Sequence, residues 1–136
     1  MAANSEGDTG ADVVVVGAGP AGAATAYHLA TAGADVLLLD KSAFPRDKIC
    51  GDGLTPAAVH ELAAMGVDTT GWARNRGLTV IGGGHTIHMD WPDQKSLPGY
   101  GLTRARADLD HALVRRAVEA GARLVEGATA TGATTD

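Results

Sequence analysis

Val13, Val14, Val15 and Val16 form an uninterrupted β-branched run near the start of the chain. A run so short and apolar on both faces predicts a buried parallel strand. Gly17 ends it. After Pro20, Ala21 to Ala32 predicts a helix of small residues whose larger members are Tyr27 and Leu29. Gly33 stands in the left-handed position that commonly closes a helix. Val36 to Leu39 is a second apolar run, and Asp40 ends it. Strand, helix and strand in this order predict a βαβ unit.

The pattern then loosens. Ser42 to Gly53 reads as a loop of mixed charge, followed by Thr55 as an N-cap and Pro56 in the first helical position. Val59, Leu62, Ala63 and Met65 share much of one helical face up to Gly66. Gly71 to Gly77 reads as irregular. Leu78 to Ile81 and Thr86 to Asp90 predict a hairpin around Gly82, Gly83 and Gly84. Tyr100 to Thr103 predicts a strand, and Ala107 to Ala120 a helix with Leu109, Leu113 and Ala117 in register. Arg123 to Val125 predicts a further strand, and Ala128 to Thr134 the start of another. Residues 1–11 are small and polar, the composition of a disordered terminus. Residues 12–136 then form one unit that reaches Asp136 as a new element begins, so the expectation is the front portion of a longer protein.

Composition narrows the picture. Of 136 residues, 26 are Ala and 19 are Gly, so a third of the chain has almost no side chain. This favours helices lying close on a sheet over a core of large side chains. A net charge of −5 argues against a nucleic-acid partner. The single Cys50 excludes an internal disulfide framework and a multi-cysteine zinc site. The five His are scattered. His85 and His88 fall on opposite faces of a strand, a poor metal pair, and no metal site is expected. No apolar run approaches the roughly 20 residues of a membrane span. Nothing at the N-terminus reads as a signal peptide, so a cytoplasmic location is expected.

The chemistry is carried by Gly17-Ala18-Gly19-Pro20-Ala21-Gly22, a G-x-G-x-x-G turn. Gly and Ala are abundant here, so the bare motif is weak. Its context makes it specific: it follows an apolar strand, opens a helix, and has an acid, Asp40, at the end of the next strand. Gly17 permits the tight turn. Gly19 lets backbone approach a diphosphate, and Gly22 lets helix and strand pack closely. Helix-terminal N–H groups and the helix dipole favour the anion. Asp40 suits a ribose diol, and its charge would repel a 2′-phosphate. The turn itself leaves FAD and NAD both open.

The loop beyond Asp40 bears on that choice. The turn with Asp40, then Phe44-Pro45-Arg46-Asp47-Lys48-Ile49-Cys50-Gly51-Asp52-Gly53-Leu54-Thr55-Pro56, resembles the geranylgeranyl reductase family of FAD-dependent oxidoreductases. That family lies within the p-hydroxybenzoate hydroxylase superfamily. Pro45-Arg46-x-Lys48-x-Cys50-Gly51-x-Gly53-Leu54 is the more specific part, because the superfamily's hydroxylases mostly lack the Cys-Gly pair. Leu102-Thr103-Arg104 before Leu109-Asp110 is a further match. The resemblance runs from about Asp12 to Asp136.

It implies an α/β, Rossmann-like FAD/NAD(P)-binding domain of glutathione-reductase type, here incomplete and carrying a β-hairpin insertion. It implies FAD, with Gly17, Gly19, Pro20, Ala21 and Gly22 at the diphosphate and Asp40 at the adenosine ribose, where many superfamily members have Glu. Cys50, Gly51 and Gly53 would lie near the flavin. Arg104 would reach the FAD phosphates or ribityl chain, and Ala128 would offer backbone to the adenine. It further implies hydride delivery to C=C bonds of prenyl chains in isoprenoid lipids, chlorophyll precursors or menaquinone. The donor would be NAD(P)H or a reduced carrier, the partner a prenyl-lipid or quinone substrate. Peripheral membrane contact would come from the rest of the protein. Family members run to several hundred residues, with a downstream Gly-Asp flavin motif and a substrate domain that this chain lacks. Catalysis by residues 1–136 alone is therefore not expected, and no catalytic acid or base is assigned.

Other readings stay open on the residues themselves. Cys50 reads as flavin-adjacent or as an ordinary buried thiol. Arg46 and Lys48 read as phosphate counter-charges or as solvated surface. Asp52, between two glycines, reads as a turn residue. The alternative enzyme is an FAD-dependent monooxygenase or halogenase acting on an aromatic substrate. Outside enzymes, the alternative is a cofactor-binding fragment without turnover.

Overall fold

The structure is a computed structural model and describes residues 10–135. Its elements are β1 (Val13–Val16), α1 (Pro20–Thr31), β2 (Val36–Asp40), β3 (Gly53–Leu54), α2 (Pro56–Ala64), β4 (Ala73–Asn75), β5 (Gly77–Gly82), β6 (His85–Asp90), β7 (Gly101–Thr103), α3 (Arg106–Glu119) and β8 (Arg123–Glu126). The α/β class read from the sequence is the observed one. Most of residues 1–11 lies outside the described residues. Gly10 is described, and its carbonyl accepts a 2.5 Å hydrogen bond from Arg123.

A parallel three-stranded sheet in the order β1-β2-β8 forms the base. Val13 pairs with Val36 and Val16 with Leu39, while Leu38 pairs with Leu124 on the other side. One face, with Val36 and Leu38 fully buried, lies in the hydrophobic core. The core also contains Ala23 and Ala26 of α1 and Leu113 and Ala117 of α3. Three of these four helix residues are wholly inaccessible Ala, so the predicted close packing is the observed one. Gly33, Gly66 and Gly121 close the three helices with φ of 92°, 68° and 112°, as left-handed C-terminal glycines do.

The βαβ unit differs from its sequence reading in one respect. Val13 to Val16 predicted burial on both sides, yet Val14 is 53% and Val16 63% exposed. Among the described residues, helices cover only one face of the sheet.

A second sheet, β3-β7-β4, is antiparallel with β7 at its centre. Its flanking strands lie in segments that read as loop and irregular chain. Both are very short, two and three residues, too brief for alternation to register. The hairpin β5–β6 matches its prediction, extended by a residue at each side of the turn. Gly83 and Gly84 form that turn with φ of 58° and 78°, the positive pair a twisted two-residue hairpin needs. The strand expected from Ala128 is not formed. Gly127, at φ 69°, turns the chain aside, and the Ala128 N–H bonds back to the Asp40 carbonyl at 2.9 Å.

The tightest constraint lies where α1 meets β1. A Cβ added at Gly22 would stand 1.8 Å from the Gly17 carbonyl oxygen. Gly22→Ala is therefore expected to lower stability by about 3 kcal/mol or more, an overpacking cost taken against backbone. Gly99→Ala, where a Cβ meets nothing within 4 Å, should be near neutral. Denaturant unfolding of both variants checks this.

Candidate functional site

The turn between β1 and α1 is held from three directions. Gly17 takes φ 95°, and its N–H bonds the Leu39 carbonyl at 2.7 Å. The Ala18 N–H donates to Asp40 Oδ2 at 2.8 Å. The first helical bond runs from the Ala23 N–H to the Gly19 carbonyl at 2.9 Å. Pro20 has no N–H, and the N–H groups of Ala21 and Gly22 precede that first bond, so they face out of the helix N-terminus. That end attracts anions.

Asp40 does more than its sequence position indicated. It is 6% exposed, and its other oxygen accepts the Ser42 N–H at 2.9 Å. Burial raises its pKa, but the N–H groups of Ser42 and Ala18, with Arg46 nearby, outweigh that and bring it below its ordinary value. The carboxylate thus fixes the turn and the start of the following loop, while each oxygen keeps a lone pair for a diol.

The loop from Ser42 to Gly53 is tied down along its length. The Phe44 N–H donates to Glu126 at 2.7 Å, and the Arg46 guanidinium lies 4.9 Å from the Phe44 ring centre. Arg46 reaches Asp110 at 3.1 Å and Asp40 at 3.7 Å. The buried Nη1 makes the Asp110 contact as an ion pair without hydrogen-bond geometry, while Nη2 faces Asp40. Asp52 adopts a left-handed φ of 56°, as its turn reading anticipated, and its carboxylate accepts the Arg106 N–H at 3.2 Å. Asp52 therefore caps α3, whose own N-cap position, Ala105, carries no capping side chain.

Cys50 is exposed, which removes the buried-thiol reading. A hydrogen bond from the Asp52 N–H, then one from the Arg106 guanidinium, lowers its pKa from the ordinary 9.0. Arg106 in turn is held by both oxygens of Asp110, at 2.7 and 2.9 Å. That pairing raises its own pKa.

Two cavities gather the residues singled out from sequence. One of about 570 Å³ is lined by Gly17, Asp40, Arg46 and Ala128 among others. The Ala128 N–H is already engaged, so an adenine there would meet its carbonyl. The second, about 280 Å³ and largely apolar, is lined by Pro20, Cys50, Gly53 and Arg106 with Leu62 and Leu109. Gly51 stands in the loop with open space where a Cβ would be. Arg104 lines neither cavity. It pairs with Asp108 at 2.8 Å and lies 5.5 Å from the Trp72 ring centre.

The guanidinium groups beside the turn are those of Arg46 and Arg106. A Cβ at Gly19 would lie 3.7 Å from Arg46 Nη2 and 3.9 Å from Arg106 Nη2. Sequence reasoning left Arg46 open, quoted Asp110 only as part of a family match without a role, and passed over Arg106. The signal for Asp110 was present: it occupies a core register of α3, in line with Leu113, Val114 and Ala117, where a carboxylate demands partners. Two guanidinium groups within 4 Å of the Gly19 Cβ position, the outward N–H groups of Ala21 and Gly22 and a buried acid at the end of β2 fit a dinucleotide diphosphate. Among the described residues, no group of three His, Cys, Asp or Glu side chains is placed to hold a metal ion.

Comparison with known proteins agrees. A family model described as an FAD binding domain matches residues 10–136. Menaquinone reductase of Mycobacterium tuberculosis is 50% identical over 127 residues, covering 90% of this chain and 30% of that protein. The chain thus spans about a third of the length of this relative. Among solved structures, a geranylgeranyl bacteriochlorophyll reductase-like protein from Thermoplasma acidophilum superposes with a TM-score of 0.77 at 25% identity, over 93% of this chain and 32% of that one. A myxobacterial chondrochloren halogenase gives 0.75 at 31%, over 86% and 28%.

Two outcomes are expected. Alkylation of Cys50 should reach its maximal rate at lower pH than a thiol of ordinary pKa 9.0, and Arg106→Leu should move the profile upward. Asp40, with its lowered pKa, contributes stability that is fully present above the ordinary value of 3.8 and lost as pH falls through the lower folded value. Asp40→Asn should remove that part of the acid limb of a stability–pH curve.

Proposed function

Because this chain belongs to the family of FAD-binding domains, we propose that the protein is an FAD-dependent reductase acting on a C=C bond of a prenyl chain, with the tail of a menaquinone-type quinone the first candidate. The 50% identity to a mycobacterial menaquinone reductase carries this reading. The Cys50-Gly51 loop, shared with the resemblance drawn from the sequence, supports it.

The chemistry FAD would supply when bound and reduced by NAD(P)H or another carrier is a hydride to one alkene carbon, with a proton to the other. This chain's contribution is to bind and orient. Gly19 and the start of α1 would receive the diphosphate, Arg46 and Arg106 would balance its charge, and Asp40 would take the ribose. The loop from Arg46 to Gly53 brings the Cys50 thiol and Arg106 together at one end of the turn. Among the described residues, no helix is long and apolar enough to cross a membrane. A prenyl-lipid substrate favours peripheral membrane contact.

The halogenase likeness supports a second reading, in which reduced FAD reacts with oxygen and an aromatic substrate is modified. The full-length protein separates the two when incubated with FAD, NAD(P)H or a chemical reductant, and menaquinone. The expected product has gained two hydrogens that survive reoxidation of the quinone ring in air. Oxygen consumption coupled to modification of an aromatic compound, with the tail unchanged, would favour the second reading instead. Reduction of the ring alone would sink both.

A further inference from the structure

Asp110 is wholly inaccessible and is an ionisable residue on the packed side of α3. A carboxylate in such a place is costly unless charged partners surround it. Its partners come from two separate segments. Arg106, one turn earlier on α3, grips both oxygens. Arg46 arrives from the loop after β2 and stands 3.1 Å away. The Nη2 atoms of these two arginines flank the space above Gly19. Two cations brought to one glycine repel each other, and Asp40, which bonds into the turn, pairs with Arg46 alone, at 3.7 Å. Asp110 lies behind them and pairs with both.

We propose that Asp110 is a positioning residue for the cofactor diphosphate, holding Arg46 and Arg106 as a matched pair over Gly19. It touches no cofactor atom itself. The fork of Arg106 is oriented by a bidentate contact. Arg46 keeps its Nη1 buried and without a hydrogen-bond partner, directed by charge and not by a bond of its own. The arrangement links helix α3, the loop and the turn through one side chain. This inference rests on FAD as the cofactor and is independent of which substrate is reduced.

Asp110→Asn in the full-length protein tests it, because charge and geometry pull in opposite directions. Removing a negative charge makes the site more cationic, so a purely electrostatic role predicts tighter binding of FAD and ADP. A positioning role predicts weaker binding, by about 10- to 100-fold, the size of one lost charge-assisted hydrogen bond. Affinity for adenosine, which has no diphosphate, should stay within about twofold, well inside that range. Arg106→Lys keeps the charge but loses the fork. It should show the same selective loss of ADP over adenosine, and it serves where Asp110→Asn fails to fold. Combining Asp110→Asn with Arg46→Leu should give less than the sum of the separate losses, because both act on one pair. Equal weakening of ADP and adenosine would reduce Asp110 to a packing role. Unchanged or tighter ADP binding would overturn the proposal. Wild-type protein that binds no FAD would instead overturn the cofactor reading on which it stands.

Discussion

The first turn of α1 rests against the end of β1 with no space for a methyl group between Gly22 and the Gly17 carbonyl, and the rest of the site depends on that approach. It brings the helix N-terminus directly beyond the end of the parallel sheet, where exposed N–H groups and the helix dipole act on the same point. Asp40 completes the constraint from β2, since its carboxylate accepts the Ala18 N–H inside the turn. A backbone contact and a buried charge therefore fix one short segment from two sides. The scarcity of large side chains follows from the same demand: Ala23 and Ala26 of α1 are fully buried in the core because they let the helix lie close.

Charge is arranged around this segment in pairs. Among the described residues, Asp40 and Asp110 are the two buried acids, and Arg46 lies within ion-pair distance of both. Arg106 closes the set by gripping Asp110 on the same cavity that Cys50 lines. A diphosphate bound above Gly19 would meet cations already oriented, so little ordering would be left to occur on binding. The loop from Ser42 to Gly53 looks irregular in outline but is fastened by Asp40, Glu126, Asp110 and α3 in succession. Its Gly-bearing sequence supplies the turns, and its charges supply the anchors.

Much of this was legible in the chain because the signals were local. Val13 to Val16, the glycine turn and Asp40 define the βαβ unit by order and spacing, and Thr55-Pro56 marks the start of α2 with a hydroxyl that does accept from the Ala58 N–H. The short strands β3 and β4 were not legible, since their pairing with β7 is a long-range event with no alternation to announce it. Arg104 drew attention only through the family resemblance, while the arginine of α3 beside the turn is Arg106, two positions on. That difference is one of helical phase: only the residue one turn before Asp110 reaches a carboxylate on the buried face. Exposure of Val14 and Val16 was equally hidden, because an apolar run carries no label for which of its faces is covered.

The most direct measurement is a structure of the full-length protein with FAD. The account predicts the diphosphate above Gly19, between the guanidinium groups of Arg46 and Arg106, the adenosine ribose at Asp40 and the flavin extending toward Cys50. A diphosphate bound away from Gly19, or held by Arg104 with the Asp110 pairs broken, would contradict it.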